Sequence, residues 1–266
     1  MDAGVGIGIC LVAMMVADVL DGGSPVAFAN PSAILLIFGA TFGATIASTS
    51  VKQFMTMPKL LGMSMKPRVS DIASIREMLV KFAERARREG LLALEGDVEA
   101  VQDPFIRHGL QMVIDGLEPD TVEEILEIEI DSMQARHHKG IDMFAKMGGY
   151  SPTFGVLGTV MGLVSVLSNL ADPSGLGESI ATAFIATLFG VGAANILWLP
   201  VSANLKGKDG AEAAERRLAL AAILAIQAGD NPRIVAQKLR AHAGPEAEEA
   251  ESPEKPATST AMPEAA

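Results

Sequence analysis

The chain has one cysteine, one tyrosine and one tryptophan in 266 residues. A lone Cys10 excludes an intrachain disulfide and a cysteine metal cluster. Lysine and arginine are missing from two short connections, Asp21–Asn30 and Ala171–Ser179. No carboxylate, histidine or lysine falls within Ser151–Leu170 or Ile180–Ser202. Alternating strand patterns, phosphate loops, nucleophile elbows and metalloprotease motifs are all absent, so no ordinary enzyme, catalytic residue or cofactor is expected. A net charge of −11 offers nothing basic enough for nucleic acid. The acids concentrate after Asp103 and after Gly244. No basic region precedes the first apolar stretch, and Asp18 and Asp21 stand where a small-residue cleavage site would be, so no removable leader is expected.

What the chain does have is apolar length. It is 49% hydrophobic, and mean hydropathy is +0.32. Ala3–Leu20, Pro31–Val51, Ser151–Leu170 and Ile180–Ser202 each approach the roughly 20 residues that cross a bilayer. The fold class expected is an all-α integral membrane protein with four transmembrane helices and a helical cytoplasmic domain inserted between the second and third. Lys52, Lys59, Lys66, Arg68, Lys206 and Lys208 flank the spans on the side opposite the short loops, which places both termini and the insert in the cytoplasm. The chain then divides into residues 1–51 with the first two spans, 52–147 as the cytoplasmic domain, and 148–204 with the last two spans. Residues 205–241 follow as cytoplasmic helices. Residues 242–266 form an acidic tail too poor in apolar residues to offset its ordering entropy, and are expected to be disordered.

Helix signals run through the insert. Ser70 can cap a helix with apolar positions Ile72, Ile75, Met78, Leu79, Phe82 and Ala86, which Gly90 ends in a left-handed cap. Asp103–Pro104 opens another, carrying Phe105, Ile106, Leu110 and Val113, with Gly116 near its end. Asp120 and Glu123 have capping-box spacing before a third helix. A helix over Gly210–Ala228 and a restart at Asn231–Pro232 follow the last span.

The third and fourth spans carry small residues on one face, Gly155, Gly158, Gly162 and Gly190, which suit close helix packing. Thr159 and Thr187 add hydroxyls that could line an ion path, or bond to their own helix carbonyls one turn back. If an ion passes here, another chain must bring the acid. Pro152 and Pro200 lie at the cytoplasmic ends of these spans, where each frees a carbonyl and permits a bend or a stop. Tyr150 and Trp198 read as interfacial aromatics, and Asp18 as an interfacial carboxylate. Arg85, Arg87, Arg88, Glu89 and Glu95 make a charged cluster about the turn at Gly90. His137 and His138 lack the neighbours of a metal site.

In PSAILLIFGATFGAT, RARREGLLALE, YSPTFGVLGTVMGLV and TLFGVGAANILWLP, occurring in this order, the chain resembles flagellar motor stator subunits of the MotA/PomA type. The resemblance spans about Gly4 to Ala241. It implies a bacterial inner-membrane protein of five copies around two copies of a single-span MotB/PomB-type partner, whose aspartate binds the transported Na+ or H+. It further implies that Arg87, Arg88 and Glu95 face the rotor protein FliG, that Pro152 and Pro200 couple ion flow to movement, and that Thr159 and Thr187 lie near the ion path. Gly96 departs from relatives with a second acid, and Asp97 is a substitute. Threonine in GTVMG resembles sodium-driven relatives. The small-residue face would then be a smooth wall around the partner. The alternatives are an ExbB/TolQ-like proton-driven energiser of outer-membrane processes, or a non-conducting membrane scaffold.

Overall fold

A computed structural model describes residues 2–23, 28–67, 72–168 and 175–242. Ser70, Arg68, residues 171–174 of the Ala171–Ser179 loop and the tail from residue 243 lie outside them. The described residues form helices and no strand. In chain order these are α1 (Asp2–Leu20), α2 (Pro31–Ser48), α3 (Val51–Phe54), α4 (Met57–Met65) and α5 (Ile72–Glu89). A 3-10 turn at Leu91–Leu94 leads into α6 (Glu95–Val98), α7 (Pro104–Ile114) and α8 (Pro119–Ser168). Next come α9 (Leu176–Gly192), a π-helical turn at Ala193–Trp198, α10 (Leu199–Gln227) and α11 (Pro232–His242).

The chain folds as two compact units, Met1–Ser70 with Asp131–Ala213, and Asp71–Ile130 with Ala214–Ala266. These boundaries differ from the sequence divisions at 51/52, 147/148 and 204/205. Both sets of inner boundaries fall inside unbroken helices, 130/131 and 147/148 within α8 and 204/205 and 213/214 within α10, so polarity changes along these helices without ending them.

In the first unit, Asn30 caps α2 by accepting from the Ala33 amide at 3.1 Å, with Pro31 in the first turn. The Asn30 amide also donates to Thr182 on α9 at 3.0 Å. A core of Ile141, Met143, Phe144, Met147, Trp198, Val201 and Leu205 gathers Phe38, Phe42 and Phe54 around it. Trp198 is therefore no interfacial anchor. It is 3% exposed, with the Phe38 and Phe42 rings edge-on at 6.1 Å each, because aromatic contacts inside outweigh a headgroup position.

Elsewhere this unit turns large apolar side chains outward, among them Val5, Ile9, Val12 and Leu20 on α1 and Val156, Val160, Met161 and Leu167 on α8. Burying one such side chain is worth about 1.5–3 kcal/mol. Leaving so many in water would exceed the ~5–15 kcal/mol net stability of a domain. Lipid or further helices must cover them. Pro31–Ser48, Pro119–Ser168 and Ser179–Gln227 are long and apolar enough to cross a membrane, and Gly4–Leu20 is a shorter apolar helix.

The second unit has a water-type core. Leu79, Leu94, Val98, Leu110, Val122, Leu126, Ile130, Ile223 and Val235 are all fully buried. Asp103 caps α7 through the Phe105 and Ile106 amides. Gly90 has φ 88° and ψ 164°, a positive φ that favours glycine, though its extended ψ is not the left-handed helical cap expected. At the start of α8 the Glu118 carbonyl accepts from the Thr121 and Val122 amides, so Pro119 opens the helix and Asp120 lies inside its first turn.

Candidate functional site

The glycines of α8 are where α9 comes closest. A Cβ on Gly155 would stand 3.2 Å from the Ala186 carbonyl and Thr187 Cα. On Gly158 it would stand 2.8 Å from the side chains of Ala186 and Leu36, and on Gly162 2.6 Å from Ala183 Cβ. From the other side, a Cβ on Gly190 would stand 2.6 Å from the Ser151 carbonyl and 2.8 Å from Gly155 Cα. The small-residue face is thus filled from within the chain by α9 and α2, not left bare as the smooth wall expected from the resemblance. Close packing of this kind replaces the hydrophobic drive that lipid removes.

Thr159 and Thr187 meet inside this seam. Their hydroxyls bond to each other. Thr159 Oγ1 also lies 3.2 Å from its own Gly155 carbonyl and 3.1 Å from Ala183 O across the seam, and Thr187 Oγ1 lies 3.3 Å from Gly155 O. Four oxygens therefore share two hydroxyl protons, which leaves lone pairs unused. The bond to a carbonyl one turn back and the meeting of the two hydroxyls coexist.

Pro152 lies within α8, and Pro200 follows the π turn. Just before Pro200 the Leu199 amide reaches back five residues, to Ala194 O. The widened turn accommodates a residue that cannot donate to Ile196 O. Sequence reading missed this turn and also missed Ser151. That side chain is fully buried and accepts from Trp198 Nε1 at 3.0 Å. Its one available signal was a small hydroxyl placed directly before a proline.

Asp209 was missed as well. It is 4% exposed, faces His137 Nδ1 at 2.8 Å and His138 Nε2 at 3.4 Å, and accepts from Gln134 at 3.4 Å. The histidines thus share a carboxylate. Among the described residues no three groups are placed to hold a metal ion.

In the second unit, α5 ends in the charged cluster. Arg85 bonds Asp97 and lies 3.1 Å from Glu89. Asp97, the suggested stand-in for an outward acid, is thereby tied to its own chain. The two carboxylates, Asp97 first, hold Arg85 above its ordinary pKa. The Glu89 carboxyl is held below its usual range by Arg88 and then Arg85. Arg87, Arg88 and Glu95 are exposed. Arg88 leans on Glu89 at 3.2 Å, while Arg87 and Glu95 form no ion pair with a described residue.

Fold and site define a multi-pass helical membrane protein whose last two apolar segments bring hydroxyls, but no acid, to one internal seam. Residues 4–90 match the family described as Motility protein A N-terminal, and residues 97–218 match the MotA/TolQ/ExbB proton channel family. Motility protein A of Borreliella burgdorferi is 39% identical over 236 residues, 89% of each chain. That of Bacillus subtilis is 37% identical over 236 residues, 88% of this chain and 87% of its own. A chain of the flagellar MotAB stator complex from Bacillus subtilis superposes with a TM-score of 0.87 at 34% identity, covering 95% of this chain and 100% of its own. The chain belongs to the motility protein A family.

Proposed function

We propose that the chain is the ion-conducting stator subunit of a bacterial flagellar motor, a multi-pass inner-membrane protein working with a MotB-type partner. The observation that carries this is the full-length match to a chain of a MotAB stator complex. The match to the motility N-terminal family over residues 4–90 favours this reading over an ExbB/TolQ-like energiser. The chemistry agrees with it. Ser151–Leu170 and Ile180–Ser202 hold no titratable acid, so the partner supplies the ion-binding aspartate. Copies of this chain, five by family resemblance, surround two of the partner. Together with lipid they cover the outward apolar face of α8.

Thr159, Thr187 and their two carbonyls offer oxygens to a partly dehydrated ion. This set suits sodium slightly better, because a cation shedding its water needs several oxygens beyond the partner's carboxylate, whereas that carboxylate alone can carry a proton. One charge moving through ~100 mV releases about 2.3 kcal/mol, enough to bias a small rotation. Pro152 and Pro200 transmit that step as bends, and Arg87, Arg88 and Glu95 meet the rotor protein FliG.

A deletion strain carries intact but paralysed filaments on this reading, and the full chain with its partner restores swimming. Replacing sodium by potassium slows the complemented cells, and Thr159→Ala slows them further while membrane abundance holds. Full swimming by the deletion strain in a background with no second stator set would sink the stator assignment. Indifference to sodium would leave the proton as the ion. Normal swimming by both Thr159→Ala and Pro152→Ala would favour a non-conducting scaffold.

A further inference from the structure

We propose that Ser151 and Trp198 are positioning residues that join the bends at Pro152 and Pro200 into one mechanical unit; this rests on the reading of those prolines as coupling hinges. Pro152 cannot donate to Gly148 O, and Pro200 cannot donate to Ile196 O, so each helix is weakened one turn before its proline. Ser151 stands directly before the first proline and Trp198 two residues before the second. Their side chains meet, with the indole Nε1 donating to Ser151 Oγ at 3.0 Å across 47 residues of sequence.

The serine oxygen is a saturated hub. Its single proton goes to Met147 O at 2.9 Å. Thr41 Oγ1, 3.2 Å away, is therefore the donor in its contact with Ser151. One bond given and two received leave this hydroxyl no spare site. Ser151 is fully buried, Thr41 is fully buried and Trp198 is 3% exposed, so no water stands ready to replace a broken bond. The backbone is clamped too, since α9 leaves no room for a Cβ between Gly190 and the Ser151 carbonyl. A bend at Pro152 that moves Ser151 must carry Trp198 with it or strand an indole N–H in an apolar core. The π turn ending at Trp198 gives α10 the slack to follow.

A buried indole N–H finds a partner in most cores, so the test must separate coupling from stability. The measurement is torque per stator unit, read from stepwise speed recovery of a tethered load. It is made in a stator-deletion strain carrying the full chain and its partner. Membrane abundance and co-purification of the partner are scored in parallel. Ser151→Ala and Trp198→Phe are expected to assemble at near wild-type levels yet lose at least about half the torque of each unit. The double variant falls no lower than the worse single, as for two residues acting as one. A merely structural role would reduce the number of assembled units and leave the torque of each unit unchanged, and that result overturns the proposal. So does an additive double variant. If Ser151→Ala fails to assemble, Trp198→Phe decides alone, since it keeps the ring and removes only the indole's extra ring and N–H. Pro152→Ala and Pro200→Ala separate the two readings. Normal torque in both refutes the hinges themselves, whereas stalled proline variants beside a normal Trp198→Phe refute only the link.

Discussion

The two compact units hold together by different means. In the unit of Met1–Ser70 and Asp131–Ala213, α8 and α9 touch through Gly155, Gly158, Gly162, Ala183, Ala186 and Gly190, and bond through Thr159 and Thr187. In the unit of Asp71–Ile130 and Ala214–Ala266, contact runs through Leu79, Phe105, Leu110, Leu126 and Ile223. The difference follows from the solvent. Against water, a large apolar side chain gains by being hidden. Against lipid it gains nothing, so helices associate by fitting backbones closely and by hydrogen bonds. Large residues are then free to point outward, as Val156 and Leu167 do.

The sharpest challenge to this contrast is Gly190→Leu. The new side chain would start 2.6 Å from a backbone carbonyl, and no rotamer change moves that atom. Loss of the assembled complex from membranes is expected, read by immunoblot against wild type; normal assembly would refute the close-packing account. Next in size is Leu126→Ala in the second unit. Removing a fully buried leucine costs about 2–5 kcal/mol. It should lower that unit's melting by far-UV circular dichroism. Fluorescence of Trp198, the one tryptophan, should show little change if the units melt separately.

Gly109→Ala is a milder case. Its Cβ would stand 2.6 Å from the tip of Ile223 and 3.0 Å from that of Leu126. Both tips can rotate, so a cost of ~1–3 kcal/mol is expected, below that of Gly190→Ala, which meets backbone. Equal losses for the two alanines would erase the distinction.

Smallest is Glu89→Gln. The Glu89 carboxyl is held below its ordinary pKa when folded. Its contribution is therefore present above the unfolded-chain value and fades as pH falls through the folded one. The variant should melt marginally earlier near neutrality, and the gap should narrow once pH falls below the ordinary glutamate value of about 4.3 and vanish as it passes the lower folded one. Because Glu89 and Arg85 are each more than 40% exposed, solvent screening keeps the effect near the limit of detection.

Much of this was legible in the residues. The apolar stretches and the caps at Asp103 and Asn231 follow from local rules, and so does the 3.6-residue pattern that buries Leu79, Phe82 and Ala86. The motif order was enough to suggest the family. Other features were hidden because they join residues far apart in the chain. Trp198 looked like an interfacial ring until its indole was seen to reach Ser151. Asp97 looked outward until Arg85 took it. Asp209 carried no local sign of His137. The π turn is likewise invisible, since one extra residue in a turn leaves hydrophobic periodicity almost untouched.

Composition and periodicity determine by themselves that this chain makes apolar helices, where several of them start, and that no acid lies within the last two spans, because each depends on residues within a few turns of one another. Which face of α8 meets α9, that the Thr159 and Thr187 hydroxyls meet each other and two backbone carbonyls, and that the Trp198 indole reaches Ser151 were decided by tertiary structure. Helix rotation and approach are set by the sum of contacts across the seam, and no single segment contains that sum.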